Sequence, residues 1–531
     1  MGDIEQSVPF NDAGAAVLPV AADRVHRERD IRQLASGASI FLGGRFLGRG
    51  VRFLGDIALA HILGPSKLGL FAIGWTLTRI ITLVSPMGLD AGVVRFGTKH
   101  WKNDSESFRG VLLWSLLFAL LSGLSIGTIV FLGAHWLAVS VFQKEALTGV
   151  FRAFGFAMPF ISTLRVAASS TRISKSMKYA VLSEDMSQPI TFLVLFLTLC
   201  AIGWRLEGAL DAMVLSFGVA LLLALIFVWR IFPEVRAWKK NTAFPGMGLL
   251  TFSLPATISA AMGMLIIWID RLFVGHYRSA AETGVYQSVS QLSVSIAMIL
   301  GSFASIFSPM TAALHHRGEM KRLEEVFRVS TKWALYVSVP PFLIMCFASR
   351  EVLSVLFGKP YEIGAAALII LGVGQLVNAG TGPVTGLLVM SGLQNDLFVI
   401  SGVSLSAGAI MCMFLIPRWG IAGAAFATAT SIIGLFAWAI HVGKEKLNML
   451  PYDRRYWKGL RAAGLAVAAL FLLRQFEIGS PAVKLIAVCL VATTVFVAAL
   501  MMAGLDEEDR DFLKIMQARL KTKEQTYESV E

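Results

Sequence analysis

Trp204-Arg205-Leu206-Glu207-Gly208-Ala209-Leu210-Asp211-Ala212, followed by Ser216, returns later in the chain as Trp419-Gly420-Ile421-Ala422-Gly423-Ala424-Ala425-Phe426-Ala427, followed by Ser431. The offset is 215 (419 − 204). Two further marks keep it: Leu68-Gly69-Leu70-Phe71 answers to Thr283-Gly284-Val285-Tyr286, and Ser176 to Ser391. Three separated segments in one register indicate an internal repeat. Apolar stretches of spanning length, roughly 17–25 residues each, surround these marks. The first two fall near 36–62 and 68–89, the seventh and eighth near 248–276 and 284–310, and the last two near 459–476 and 482–504. About fourteen occur in all. One repeat unit holds six, an even number, so the two units run parallel about an axis along the membrane normal.

The fold class that follows is an all-α polytopic membrane protein of about fourteen transmembrane helices. It comprises two parallel six-helix repeats around a central cavity, plus two extra C-terminal helices. The expected boundaries are a cytoplasmic tail over 1–34, repeats over 35–231 and 247–443 joined by a linker at 232–246, two added helices within 444–505, and a tail over 506–531.

Composition agrees. Of 531 residues, 56% are hydrophobic and 15% charged, whereas soluble domains carry about 45–50% apolar and about 25% charged residues. A surplus of that size needs lipid as solvent for much of the surface. The net charge of +12 raises nucleic acid as a partner, but its placement points elsewhere. Arg95, Lys99, Lys102 and Arg109 share one connection, Arg236, Lys239 and Lys240 another, and Lys444, Lys446, Arg454, Arg455 and Lys458 a third. The opposite connections hold little beyond Lys67, Lys144, Arg205, Arg278, Lys359 and Arg418. Positive loops stay inside, which places both termini in the cytoplasm and leaves no role for nucleic acid. The segment 135–146 reads as interfacial. Cys200, Cys346, Cys412 and Cys489 each sit in an apolar run with no metal-binding spacing, so they read as packing residues and no metal site is expected. Neither a P-loop nor an HExxH motif is present, so no cofactor or enzymatic chemistry is expected.

The first span carries charge where apolar residues belong. Arg45, Arg49, Arg52 and Asp56 are spaced by four, three and four, which keeps them within about 60° of one helical face. If the helix began only after the arginines, the residues from Phe53 to Leu63 would rise about 16 Å against a hydrocarbon core of about 30 Å. Arg49 and Arg52 therefore lie at membrane depth, where each central arginine costs about 2.5–3.5 kcal/mol on insertion scales. Two readings meet that cost: binding of a polyanion, or a structural charge network. Arg79 in the second span, Gln287 and Gln291 on one face of the eighth, and Asp270 and Arg271 in the seventh are placed by the repeat around the same centre. Asp56, Asp270 and Arg271 are candidates for ion coupling or charge pairing. A buried salt bridge is an equal reading of Asp270 and Arg271. Arg165 reads as a snorkelling residue at a membrane interface, and Gln375 and Asn378 as helix–helix glue.

Leu63-Gly64-Pro65-Ser66-Lys67-Leu68-Gly69-Leu70-Phe71 before the second span, and Gly88-Leu89-Asp90-Ala91-Gly92-Val93-Val94-Arg95-Phe96 after it, add local motifs to this plan. Over about 35–505 the chain resembles the polysaccharide-export, O-antigen flippase type branch of the multidrug/oligosaccharidyl-lipid/polysaccharide exporter superfamily. That resemblance implies a flippase of the bacterial inner membrane. It would turn a polyprenyl-diphosphate-linked oligosaccharide from the cytoplasmic to the periplasmic leaflet by alternating access, for lipopolysaccharide or exopolysaccharide synthesis. Membrane lipid, a polymerase and other glycan-assembly proteins are the implied partners. On the matching positions Arg45, Arg49, Arg52 and Arg79 would hold the anionic head group. Two other functions compete: a multidrug or cation antiporter of the same superfamily, and a membrane scaffold for glycan assembly.

Overall fold

The computed structural model describes residues 18–174, 176–236, 248–476, 479–504, 506 and 508–510, and among them every regular element is helical. The side chain of Arg45, the loop residues Lys239 and Lys240, and the termini 1–17 and 511–531 lie outside the described residues.

The first part of the chain opens with α1 (Leu18–Val84), 67 residues broken only at Gly64, where φ is 70° ahead of Pro65. Glycine tolerates that conformation and proline cannot donate to the preceding turn, so two helices meet with no loop between them. Helix α1 begins at Leu18, within the segment 1–34 expected to be a cytoplasmic tail, so residues 23–32 are helical. Then come α2 (Leu89–His100) and α3 (Ser105–Trp136), whose first turn is capped by Asp104 accepting from the amides of Glu106 and Ser107. A π-helical turn (Leu137–Val141) extends α3, so the stretch read as interfacial is largely helix. Helix α4 (Leu147–Ser170) follows, then α5 (Lys178–Ala180), a second π-helical turn (Val181–Ser187), α6 (Gln188–Ala201) and α7 (Leu206–Ile231).

The later part comprises α8 (Gly248–Tyr277), α9 (Ala280–His316), α10 (Met320–Phe347), α11 (Ser349–Phe357), α12 (Ala365–Thr381) and α13 (Val384–Met390). Helix α14 (Gln394–Leu447) is broken at Gly420, φ 60°, next to Trp419, the residue that the repeat pairs with Trp204. Two helices close the chain, α15 (Tyr456–Leu473) and α16 (Pro481–Met502). Among the described residues, 11 helices are long and apolar enough to cross a membrane. Two of these stretches, Leu47–His100 (the end of α1 together with α2) and Gln394–Leu447, are 54 residues each. At 1.5 Å per residue, about 80 Å of helix is far more than one crossing needs.

Helix α1 is the hub. It packs on α4, α6 and α7 on one side, and on α8 and α9 on the other. The glycines that the repeat pairs, Gly69 and Gly284, meet face to face. A Cβ on Gly69 would lie 1.7 Å from the Ala280 carbonyl oxygen, and one on Gly284 would lie 2.0 Å from that of Pro65. Only bare backbones approach so closely. Around this seam Tyr361 donates to the Ala60 carbonyl at 3.1 Å, His61 Nε2 bonds the Leu356 carbonyl at 3.0 Å, and Lys144 donates to the Gly275 carbonyl at 2.7 Å.

The added helices are fastened by charge. Lys332 of α10, 1% exposed, meets Asp509 at 2.8 Å, Asp506 at 3.2 Å and Glu508 at 3.8 Å. Trp333 donates its indole N–H to Asp509 at 2.7 Å, and Lys458 of α15 reaches Asp506 at 2.6 Å. Burial raises the Asp506 carboxyl, but the Lys458 and Lys332 ammonium groups outweigh it and hold that carboxyl below its ordinary range. A depressed carboxyl stabilises the fold above its unfolded pKa, about 4, and loses that contribution as pH falls through the lower folded value. Asp506→Asn/Glu508→Gln/Asp509→Asn removes all three carboxylates from Lys332 and leaves it buried without compensation, which costs about 3–5 kcal/mol. Thermal unfolding in detergent at pH 7 is expected to show the loss. An unshifted transition would mean that Lys332 finds water instead.

Candidate functional site

A cavity of about 390 Å³ opens between α1, α4, the π-helical turn Val181–Ser187, the start of α6, α7 and α8. Arginines dominate its wall: Arg49, Arg52 and Arg79 from α1, and Arg165 from α4. The 4- and 3-residue spacings of the first span bring its arginines to one face, and Arg79 reaches the same space from beyond the Gly64 break. Arg52 Nη2 donates to Gln188 Oε1 at 3.3 Å, and Gln188 Nε2 donates to Ser216 Oγ at 3.1 Å, so the guanidinium is steered by a neutral chain running from α6 to α7. Arg165 bonds the Thr82 carbonyl at 2.7 Å and pairs with Asp90 at 3.3 Å.

The opposite charge comes from Glu184 and Asp185 on the π-helical turn. That turn packs against α1 where the helix has no side chains. A Cβ on Gly48 would lie 1.9 Å from the Asp185 carbonyl oxygen, and one on Gly44 would lie 2.5 Å from Val181 Cγ1. Widened turns of this kind recur at functional sites because they re-aim side chains. Aromatic rings complete the wall. The Arg79 guanidinium carbon lies 4.8 Å from the Trp75 ring centre and 5.4 Å from that of Trp268. Four arginines against two carboxylates leave the lining cationic, suited to charge-assisted bonds with phosphate or carboxylate oxygens.

Several expected site residues lie elsewhere. Gln287 and Gln291 do not line this cavity. Gln291 Nε2 donates to Asp56 Oδ2 at 2.7 Å, which ties α9 to α1, and Gln287 is 6% exposed. Both are drawn off the cavity by the close packing of α1 on α9. Asp56 also stands outside the lining, its carboxylate spent on that amide. Asp270, 2% exposed, turns into the second half of the molecule. It accepts from Tyr286 at 2.7 Å, Thr428 at 2.8 Å and the Arg271 amide at 2.7 Å. Arg271 is 1% exposed and lies over the Trp268 ring at 4.4 Å. Asp270 and Arg271 are 4.0 Å apart, at the limit of an ion pair. Arg165, read as a snorkelling residue, belongs to the cavity instead. Sequence reasoning also passed over Glu184, Asp185, Trp75 and Trp268. The acidic doublet inside an apolar stretch was the available signal, as was the Trp75/Arg79 spacing of one helical turn.

A family of sequences described as "polysaccharide biosynthesis protein" matches residues 58–364, more than half of the chain. The chain belongs to the polysaccharide biosynthesis protein family. The matched range includes Arg79, Arg165, Glu184 and Trp268 of the cavity wall, and the Gly69–Gly284 seam. Among curated relatives of this family member is a probable low-salt glycan biosynthesis flippase, Agl15, from Haloferax volcanii. It is 24% identical over 408 residues, 75% of this chain and 80% of its own length. The fold is that of known membrane transporters. Lipid II flippase MurJ in an inward closed conformation superposes with a TM-score of 0.72 at 12% identity, over 89% of this chain and 99% of its own. An inward-facing multidrug resistance MATE family transporter gives 0.62 at 15% identity, over 77% and 98%. The family member is thus a multi-pass, all-helical membrane protein of that architecture.

Proposed function

We propose that this chain is a flippase that turns a lipid-linked oligosaccharide, carried on a polyprenyl diphosphate, from one leaflet to the other. The observation that carries the reading is the arginine-lined cavity beside α1. A sugar-diphosphate head group cannot enter hydrocarbon without losing its hydration, whereas its prenyl tail is at home there. A cationic cavity inside a helical bundle replaces that hydration for the head alone. Family membership and the glycan flippase named among the relatives support the same substrate class.

In this reading the chain crosses the bilayer about fourteen times, with both termini cytoplasmic, and the two repeats rock about their pseudo-twofold axis. The head group enters from the cytoplasmic side and bonds to Arg49, Arg52 and Arg79. The Gly69–Gly284 seam parts to release it on the periplasmic side. The Asp56–Gln291 bond, which joins α1 to α9, breaks and re-forms in each cycle.

The test is reconstitution of the full chain in vesicles with a short-chain prenyl-diphosphate oligosaccharide bearing a fluorophore on the sugar. Fluorescence quenching by a membrane-impermeant reductant reports which leaflet holds the head group. Head groups are expected to cross faster than in protein-free vesicles. Movement of a lipophilic cationic drug instead would favour an antiporter, and movement of neither would leave the scaffold reading.

A further inference from the structure

Arg79 is set apart from the other cavity arginines by what lies over it. Its own helix supplies Trp75, one turn earlier, and α8 supplies Trp268. Trp75 is held in the first half by Phe154 and Phe217, each at 6.0 Å. Trp268 is held in the second half: Arg271 lies over the same ring at 4.4 Å, and the neighbouring Asp270 is anchored by Tyr286 and Thr428. The Arg79 guanidinium therefore rests on one ring from each half of the molecule. Such contacts hold the planar cation by its faces and leave the donors in its plane available. One of those donors is conspicuous, because Arg79 Nε is buried with no hydrogen-bond partner. Buried donors are almost always satisfied, and an orphan donor on a residue that lines a cavity points to an absent anion or water.

We propose that Trp268 is a positioning residue that orients Arg79 for an anionic head group, so that the affinity of this arginine depends on the second half being docked against the first. The inference rests on the flippase reading and deepens it. While α8 lies against α1, the guanidinium is held in one orientation and binds tightly. When the halves part, Trp268 leaves with α8, Arg79 keeps only Trp75, and its hold on the anion weakens. Release is then built into the opening itself, with no second ligand required. The anion that fits is a phosphate ester, whose oxygens take up donors in the plane of the guanidinium.

The experiment measures binding of farnesyl diphosphate, with farnesol as the uncharged control, to the full chain in lipid nanodiscs. Trp268→Leu is expected to weaken farnesyl diphosphate binding about three- to tenfold and to leave farnesol unchanged. Trp268→Phe, which keeps a ring face, is expected to recover most of the loss. In an Arg79→Gln background, Trp268→Leu is expected to cost nothing further, because the two act through one contact. Equal losses in both backgrounds, or equal losses for farnesol, would show that the ring serves the fold and not Arg79, and would overturn the proposal. An unchanged affinity in Trp268→Leu would overturn it equally. If wild-type protein fails to bind farnesyl diphosphate above farnesol, the anionic-substrate reading falls first, and this outcome is distinct from the others.

Discussion

Arg52→Gln/Arg79→Gln is expected to reach the membrane at normal levels and yet lose head-group translocation by two to three orders of magnitude. The size follows from what the residues lack in the resting cavity. Arg52 is steered by the neutral Gln188 amide, and Arg79 lies over indole rings. Neither arrangement satisfies a guanidinium as an anion does. A hydrogen bond to a charged group contributes about 1.5–3 kcal/mol, so two lost together remove about 4 kcal/mol, near a thousandfold. Glutamine keeps donors and length, which isolates the charge. In cells, a lipid-linked glycan should accumulate on the inner leaflet while surface glycan disappears. Normal surface glycan with a fully inserted double variant would mean that these arginines serve the architecture only, and the central functional claim would fail.

Gly69→Val is the second large effect. The missing Cβ already lies 1.7 Å from a backbone oxygen of α9, so a branched side chain cannot be accommodated by rotating a neighbour. Helices α1 and α9 must separate, taking with them the bond of Gln291 to Asp56. Overpacking in a tight interior typically costs about 1–3 kcal/mol, and here backbone meets side chain on both helices. The variant is expected to unfold several degrees lower in detergent. A cysteine placed at Thr78, on the cavity wall, should become reactive to a polar reagent added from the Gly64 end. A stable variant with an unreactive cysteine would remove this seam from the transport cycle. Gly284→Val, acting on the same seam from the other side, should reproduce the result, whereas Gly133→Val, with open space around its Cβ position, should not.

Features carried by local chemistry or by register are legible in the sequence. The Gly64-Pro65 break, the one-faced arginines of α1 and the correspondence of Gly69 with Gly284 are all visible in the chain, because each depends on neighbours in sequence or on a repeated distance. Features carried by distant contacts are not. Gln291 is a plausible cavity residue by helical phase, but the Gly69–Gly284 contact draws α9 so close to α1 that its amide meets Asp56. Arg165 resembles many interfacial arginines until Thr82 and Asp90 are placed beside it. Lys332 and Asp506 are 174 positions apart, and nothing in either neighbourhood announces the other. Charge inside an apolar stretch signals that a partner exists; only the packing says which.

One asymmetry follows from the π-helical turn at Val181–Ser187. The marks on either side of it, Ser176 and Trp204, keep the same distance to their counterparts Ser391 and Trp419, so neither half has gained or lost a residue between them. The corresponding residues, 396–402, lie in α14 as ordinary α-helix. Equal lengths of chain are therefore wound to different gauges, and the looser winding is the one that lifts Glu184 and Asp185 to the cavity wall. The cradle sits off the axis that would relate the two halves, mostly on one of them. On the flippase reading proposed above, a load carried there would travel with its own half, and the other half would serve as the abutment it swings against.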